Sequence, residues 1–277
     1  MQADLKGSIG ERLKQARLAL EHLDSARLDA ELLLAHTLQV DRTWLIAHQH
    51  DPCSEDAARH YFDLVARRAR HEPVAYLTSH KGFWDHDLFI ERGVLVPRPE
   101  TEQLVEIALT LDNGEAKVVL DLGTGSGCIA LSLARAIPHW FICAVEIESS
   151  ALQVAKRNLA TCLNVNLIQA SWLEGFKPAM VDLIVSNPPY IAAEDPHLDR
   201  LSHEPLSALV ADNDGYGAFE AILAQASKTL KPSGALIFEH GFDQRERLTT
   251  LMQSSGFKVS KFDDLAGQPR ALMGTLA

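Results

Sequence analysis

Val118-Val-Leu-Asp-Leu-Gly-Thr-Gly-Ser-Gly-Cys128 decides the fold class. Its first five residues read as a short apolar strand. The glycines that follow let the chain turn sharply and let a ligand approach the main chain closely. Over 128–137 the pattern becomes helical, and Pro138 stops it. Strand, glycine turn and helix in that order are the setting of a nucleotide loop. The spacing at Gly123, Gly125 and Gly127 is Gly-x-Gly-x-Gly, which differs from the Gly-x-Gly-x-x-Gly of dinucleotide-binding loops.

Downstream the alternation continues. Strands are expected over 140–145, 165–170, 181–186 and 235–239, with two more near Val259 and Leu272. Helices are expected over 151–159, 218–230 and near 244–254, and Lys231-Pro-Ser-Gly234 closes the second of these. Such alternation implies a mostly parallel sheet with helices on both faces. The strand after the glycine loop ends at Glu146. A carboxylate there can accept hydrogen bonds from both hydroxyls of an adenosine ribose.

Upstream the texture is different. From about Ile9 to Arg70 it is helical, with Ser25 as the cap of a helix over 26–38. Leu28, Leu32, Ala35 and His36 fall on one face of that helix, widened by Leu33 and Leu34. A second helix is expected over 54–70, with Ser54-Glu-Asp56 as an acidic first turn and Ala58, Tyr61, Phe62, Val65 and Ala69 apolar. Arg67, Arg68 and Arg70 near its end read as a solvated helix terminus. Glu72-Pro73 breaks the pattern, and the aromatic and β-branched residues over 74–96 suggest a hairpin between two domains. The expected boundaries are 1–72 for a helical domain, 73–93 for the linker and 94–277 for the α/β domain.

The chain has 277 residues, 47% hydrophobic and 23% charged, enough for about two domains with sizeable cores. Its net charge of -11 argues against tight binding of naked duplex DNA, which needs a basic surface. Cys53, Cys128, Cys143 and Cys162 have no metal-ligand spacing and read as reduced core thiols. The twelve histidines form no His-Glu-x-x-His, so no catalytic metal is expected. There is no secretory h-region and no apolar run near the ~18 residues that span a bilayer. The expectation is a cytoplasmic protein with no membrane partner.

Asn187-Pro-Pro-Tyr190 follows the strand over 181–186 directly. The carboxyl end of a strand in an open α/β sheet is where ligands bind. Two prolines stiffen the backbone and remove two N–H donors. An NH2 group then finds two acceptors, the Asn187 side-chain oxygen and the Pro188 carbonyl, while Pro189 holds the corner and Tyr190 offers an aromatic face. An amide nitrogen is a poor nucleophile because its lone pair is delocalised. Holding both of its hydrogens orients that lone pair, so transfer depends on positioning and electrostatics. Neither Asp182 nor Asp195, both near in sequence, is assigned as a base.

The glycine loop with Glu146 resembles the cofactor loop of the Rossmann-like class I methyltransferases. The resemblance implies S-adenosyl-L-methionine as cofactor, held by Gly123, Thr124, Gly125, Ser126, Gly127 and Glu146, with Trp172 and Asn187 bordering it. Asn-Pro-Pro-Tyr occurs in enzymes that methylate adenine in DNA, guanine in RNA and glutamine in protein, and does not separate them. Five other segments do. Leu95-Val-Pro-Arg-Pro-Glu-Thr-Glu102, Asp29-Ala-Glu-Leu-Leu-Leu34, Glu72-Pro-Val-Ala-Tyr-Leu77, Glu204-Pro-Leu-Ser-Ala-Leu209 and Asp264-Leu-Ala-Gly267 are similar to the HemK/PrmC glutamine methyltransferases. The family resemblance implies methylation of the glutamine amide in the Gly-Gly-Gln loop of class 1 peptide chain release factors. It also implies an N-terminal helical domain that helps dock them, with Asn187, Pro188 and Tyr190 as the catalytic residues. The alternative is a nucleic-acid base methyltransferase, which the acidic balance disfavours; no direct nucleic-acid partner is expected. One position departs from the family: Ser171 stands before Trp172 where an acidic residue is common, so the adenine amine would meet a hydroxyl and no charge.

Overall fold

The computed structural model describes residues 7–276 and divides into two units at His80–Lys81. In the first unit Ser8 and Glu11 form a reciprocal capping box at the start of α1 (Ile9–Ala19). Helices α2 (Ala26–Leu38), α3 (Arg42–Ala47), α4 (Glu55–Arg68) and α5 (Val74–Thr78) follow. Leu33, Leu34, Leu45, Ala58 and Tyr61 centre their common core. The Tyr61 hydroxyl is satisfied within it, donating to the Ala30 carbonyl at 3.0 Å. Ser54, read as part of the first turn of α4, is instead its cap, accepting from the Ala57 N–H at 3.3 Å.

Two expectations for α2 are corrected. Ser25 does not cap the backbone; its hydroxyl donates to Asp29 Oδ2 at 2.7 Å. The buried stripe is also rotated. Asp29, Ala30, Glu31, Leu33 and Leu34 are buried, while Leu28 is 43% exposed. The reason is ionic. Asp29 binds Arg68 at 2.7 Å, and Glu31 receives Arg17, Arg27 and Arg42. Burial pushes the Glu31 carboxyl up, but hydrogen bonds from Arg42 and Arg27 more than reverse this and leave it low. Arg67 and Arg68 are therefore not a solvated helix end: Arg67 pairs with Glu72 at 2.7 Å, and Arg68 is tied to Asp29.

Strands β1 (His80–Phe83) and β2 (His86–Phe89) form a hairpin, and α6 (Glu102–Leu109) precedes the main sheet. Residues 74–78 are helical where an extended segment was expected. The sheet contains β3 (Val118–Leu122), β4 (Phe141–Glu146), β5 (Val165–Gln169), β6 (Val181–Ser186), β7 (Leu230–Glu239), β8 (Phe257–Asp263) and β9 (Pro269–Leu276). Their order is β5-β4-β3-β6-β7-β9-β8, with β9 antiparallel to both neighbours and the first five strands parallel. Helices α7 (Cys128–Ala136) and α8 (Ser149–Asn158) lie between β3, β4 and β5 in the chain. The turn α9 (Asp212–Gly215) and helix α10 (Gly217–Thr229) lie between β6 and β7, and α11 (Arg245–Ser254) precedes β8. The chain leaves β3 toward one edge and β6 toward the other, so right-handed crossovers put their helices on opposite faces. The Rossmann-like α/β class read from the sequence is the class observed.

Strands β3, β6 and β7 carry short apolar runs, Val118–Leu120, Leu183–Val185 and Ala235–Phe238, because both faces are covered there. Leu120, Leu122, Ile184, Phe219, Leu236 and Phe238 form part of this core, with the Phe219 and Phe238 rings edge to face at 5.1 Å. Strand β7 begins at Leu230, not at Ala235. Its pairing with β6 steps from Val181–Leu230 to Leu183–Ala235, and Lys231-Pro-Ser-Gly234 forms the bulge between. Among the described residues no helix is long and apolar enough to cross a membrane.

Candidate active site

Register builds the site. Val145, Leu122, Ser186 and Phe238 lie side by side on four adjacent strands. The next residue on each strand is then Glu146, Gly123, Asn187 and Glu239. The glycine loop and the Asn-Pro-Pro-Tyr corner are thus neighbours at the point where strand order reverses, the usual ligand crevice of such sheets. Ser186 Oγ fastens the two strand ends by donating to the Leu122 carbonyl at 2.8 Å.

The glycine loop turns with positive φ at Gly123, Gly125 and Gly127 (69°, 56° and 82°). The Gly123 and Thr124 N–H groups donate to the Val145 carbonyl at 2.9 and 3.0 Å. Asp121 anchors the loop from below: its Oδ2 accepts from Thr124 Oγ1 at 2.6 Å and from the Ala130 N–H at 3.1 Å. Glu146 is fixed by three main-chain donors, Gly125 on Oε2 and Ile147 and Glu148 on Oε1.

A cavity of about 300 Å3 opens over these groups. Gly123, Thr124, Gly125, Ser126, Glu146, Trp172, Asn187 and Pro189 line it, as does Ser171. Gly127, Pro188 and Tyr190 do not; Gly127 instead packs against Leu159 and Tyr190 against the core. Trp172 does both jobs considered for it, lining the cavity and packing on the core. The donor set fits S-adenosylmethionine. With about four acceptor positions and three of them filled, Glu146 keeps one, on Oε2, for a single ribose hydroxyl where two were expected. A Cβ on Gly123 would stand 3.5 Å from the Trp172 ring and narrow the cavity floor. Trp172 and the exposed Ile147 supply apolar walls for a flat base. Arg98 reaches the cavity, but its guanidinium is bound to Glu204, which also accepts from the Val96 N–H at 3.0 Å. The Pro97-Arg98 segment is therefore strapped to the loop beyond Tyr190.

The amide corner has two acceptors without partners. Among the described residues no donor reaches Asn187 Oδ1 or the Pro188 carbonyl. The other end of the Asn187 amide is engaged: Nδ2 donates to Thr101 Oγ1 at 3.0 Å. Thr101 Oγ1 donates to Glu239 Oε2 at 2.6 Å, and Tyr190 OH donates to Glu239 Oε1 at 3.0 Å. Burial, with the Glu239 charge adding to it, pushes the Tyr190 hydroxyl well up, so it is no base. Asp182 accepts from the Val118 N–H and Lys231, and Asp195 from the His197 N–H, so both serve structure.

Sequence reasoning did not single out Thr101 and Glu239. Glu239 ends its strand in the same row as Glu146, a signal visible once strand ends are aligned. Thr101 lies within Leu95–Glu102, a segment read only for its family resemblance.

Comparison with known proteins gives two family models. One described as "PrmC N-terminal domain" matches residues 11–78, and one described as "Methyltransferase small domain" matches residues 101–255. A release factor glutamine methyltransferase of Xylella fastidiosa is 42% identical over 255 residues, covering 90% of this chain and 92% of its own length. The protein of that name from Salmonella typhimurium is 39% identical over 267 residues, covering 95% and 96%. Among solved structures, a methyltransferase from Pyrococcus furiosus superposes with a TM-score of 0.53 at 19% identity. It covers 76% of this chain and 98% of its own, which speaks to the fold.

Proposed function

Since the chain belongs to the release factor glutamine methyltransferase family, we propose that it methylates the side-chain amide nitrogen of the Gly-Gly-Gln glutamine in class 1 release factors. S-adenosylmethionine, when bound, would supply the methyl group on a positively charged sulfur. The glycine loop, Glu146 and Trp172 would hold it. The chain's own work is on the acceptor. Asn187 Oδ1 and the Pro188 carbonyl receive the two hydrogens of the glutamine NH2, which fixes the plane of the amide and turns its lone pair toward the cavity. Pro188 and Pro189 keep that corner rigid, so little reorganisation is needed at the moment of reaction. A base is not required to start, because the proton becomes acidic only after the nitrogen is alkylated. Consistent with this, Asp182, Asp195 and Tyr190 are committed elsewhere.

The observation that carries this reading is the pairing of Leu122 with Ser186, which brings the two acceptors, without donors among the described residues, beside the cofactor loop. The helical first unit is assigned to docking the release factor, supported by its match to the N-terminal domain of the same family. The reaction is placed in the cytoplasm, where its substrate acts. Asn187→Ala is expected to lower turnover about a hundredfold, the scale of losing one oriented polar contact in a transition state, with cofactor affinity largely kept. The assay offers labelled cofactor with release factor, DNA and RNA in separate reactions. Wild-type turnover by the variant, or label in nucleic acid alone, refutes the proposal.

A further inference from the structure

The Asn187 carboxamide has two ends of similar shape and opposite hydrogen-bonding character. Only its oxygen can grip a substrate NH2; its own NH2 would meet that group donor against donor. Some feature must therefore decide which end faces the cavity. The corner itself does not, since neither proline distinguishes oxygen from nitrogen on the preceding side chain.

We propose that Glu239 and Thr101 are positioning residues that set the orientation of the Asn187 amide, so that its oxygen faces the substrate. The inference rests on the functional reading above and adds what enforces it. Burial raises the Glu239 carboxyl against the pull of Thr101, Tyr190 and Arg270, and in its ionised form it only accepts hydrogen bonds. Glu239 accepts on both oxygens, from Thr101 Oγ1 at 2.6 Å and from Tyr190 OH at 3.0 Å. The Thr101 hydroxyl has one hydrogen, and it is spent on Glu239. What remains toward Asn187 is a lone pair, which only the NH2 end of the amide can satisfy, at 3.0 Å. Oδ1 is left pointing to the other side with no partner among the described residues. The polarity of the chain Asn187 to Thr101 to Glu239 thus starts from the ionised form of the Glu239 carboxyl, accepting from Thr101. Burial makes it one-way. Thr101, which lines the cavity, is 2% and Glu239 1% exposed, so bulk solvent competes little with this donor order. The same carboxylate holds Tyr190 at the other end of the corner, which couples the two ends of the tetrapeptide through one residue.

Thr101→Val removes the hydroxyl at nearly constant shape, and Thr101→Ser keeps it. With a release factor as acceptor, Thr101→Val is expected to lower kcat about tenfold or more, because a freely flipping amide is misplaced in much of the population. The loss should fall in kcat, since one amide contact is a small part of a protein–protein affinity. Binding of S-adenosylhomocysteine, measured by calorimetry, should stay within about twofold of wild type, a change of under ~0.5 kcal/mol. It also reports that the variant is folded. Thr101→Ser should retain turnover near wild type. In the Asn187→Ala background Thr101→Val should add no further loss, because there is no amide left to orient. Should Thr101→Val not fold, Thr101→Ala repeats the comparison. Wild-type kcat in Thr101→Val or Thr101→Ala overturns the inference. So does an equal fractional loss in both backgrounds, or a loss matched by weaker cofactor binding. The functional reading fails separately, on Asn187→Ala alone turning over at the wild-type rate.

Discussion

Asp121 shows how the loop is built around a costly group. The residue is fully buried, and only one of its carboxylate oxygens is satisfied; Oδ1 has no partner among the described residues. Burial pushes its pKa up to about 7, Thr124 and Ala130 pull it partly back, and the nearby Glu146 charge raises it again. The unfolded chain holds the same acid at ~3.9. Between those two values the native state binds more protons than the unfolded state, so stability falls as pH rises from about 4 to about 7 and then levels. Asp121→Asn removes that titration while keeping an oxygen for Thr124 and Ala130. Relative to wild type, the variant should therefore gain on the order of a few kcal/mol between pH 5 and pH 8. Urea midpoints at the two pH values measure this, and a difference that does not change with pH contradicts it.

At the scale of elements, the three loop glycines are not equivalent. Gly127 is the N-cap of α7 at φ 82°, and a Cβ there would lie 3.1 Å from Leu159 Cδ1, just beyond α8. Gly114 has nearly the same φ, 80°, with nothing within 4 Å. Gly114→Ala is expected to cost only the left-handed backbone, about 1–2 kcal/mol. Gly127→Ala should cost that plus crowding of α7 against α8, about 1–3 kcal/mol more. Chemical denaturation of the two variants isolates the packing contribution, and equal midpoints would show that Leu159 yields freely. The glycine spacing was legible in the sequence because such a turn admits few residue types, and Glu146 was legible because a strand ended there. The buried face of α2 was not. Hydrophobic periodicity cannot foresee that Asp29 and Glu31 go inside, since their burial depends on arginines up to 39 residues away. The early start of β7 was hidden for a related reason: Lys231-Pro-Ser-Gly234 reads as a loop, and only pairing with β6 makes it a bulge within a strand.

For the molecule as a whole, alternation of strands and helices announced a parallel sheet, but nothing local announced β9 between β7 and β8. Strand order is set by contacts distant in sequence, which periodicity does not encode. Thr101 escaped for the same reason: its partners are 86 and 138 residues away. What the arrangement does dictate is where ligand energy goes. Every residue lining the cavity lies between Gly93 and Ala208, within the second unit. The first unit has its own core around Leu33, Leu34 and Tyr61. A ligand that binds only the folded second unit stabilises that unit by mass action, by about 2.7 kcal/mol at a hundred times its dissociation constant. Saturating S-adenosylhomocysteine should therefore slow amide exchange in β3, β4, β6 and α7, read by hydrogen–deuterium exchange and mass spectrometry. Exchange in the cores of α2 and α4 should keep its rate, because their opening does not pass through the cavity. Equal slowing in both units would mean that they open as one, and that the division at His80 is not a thermodynamic boundary.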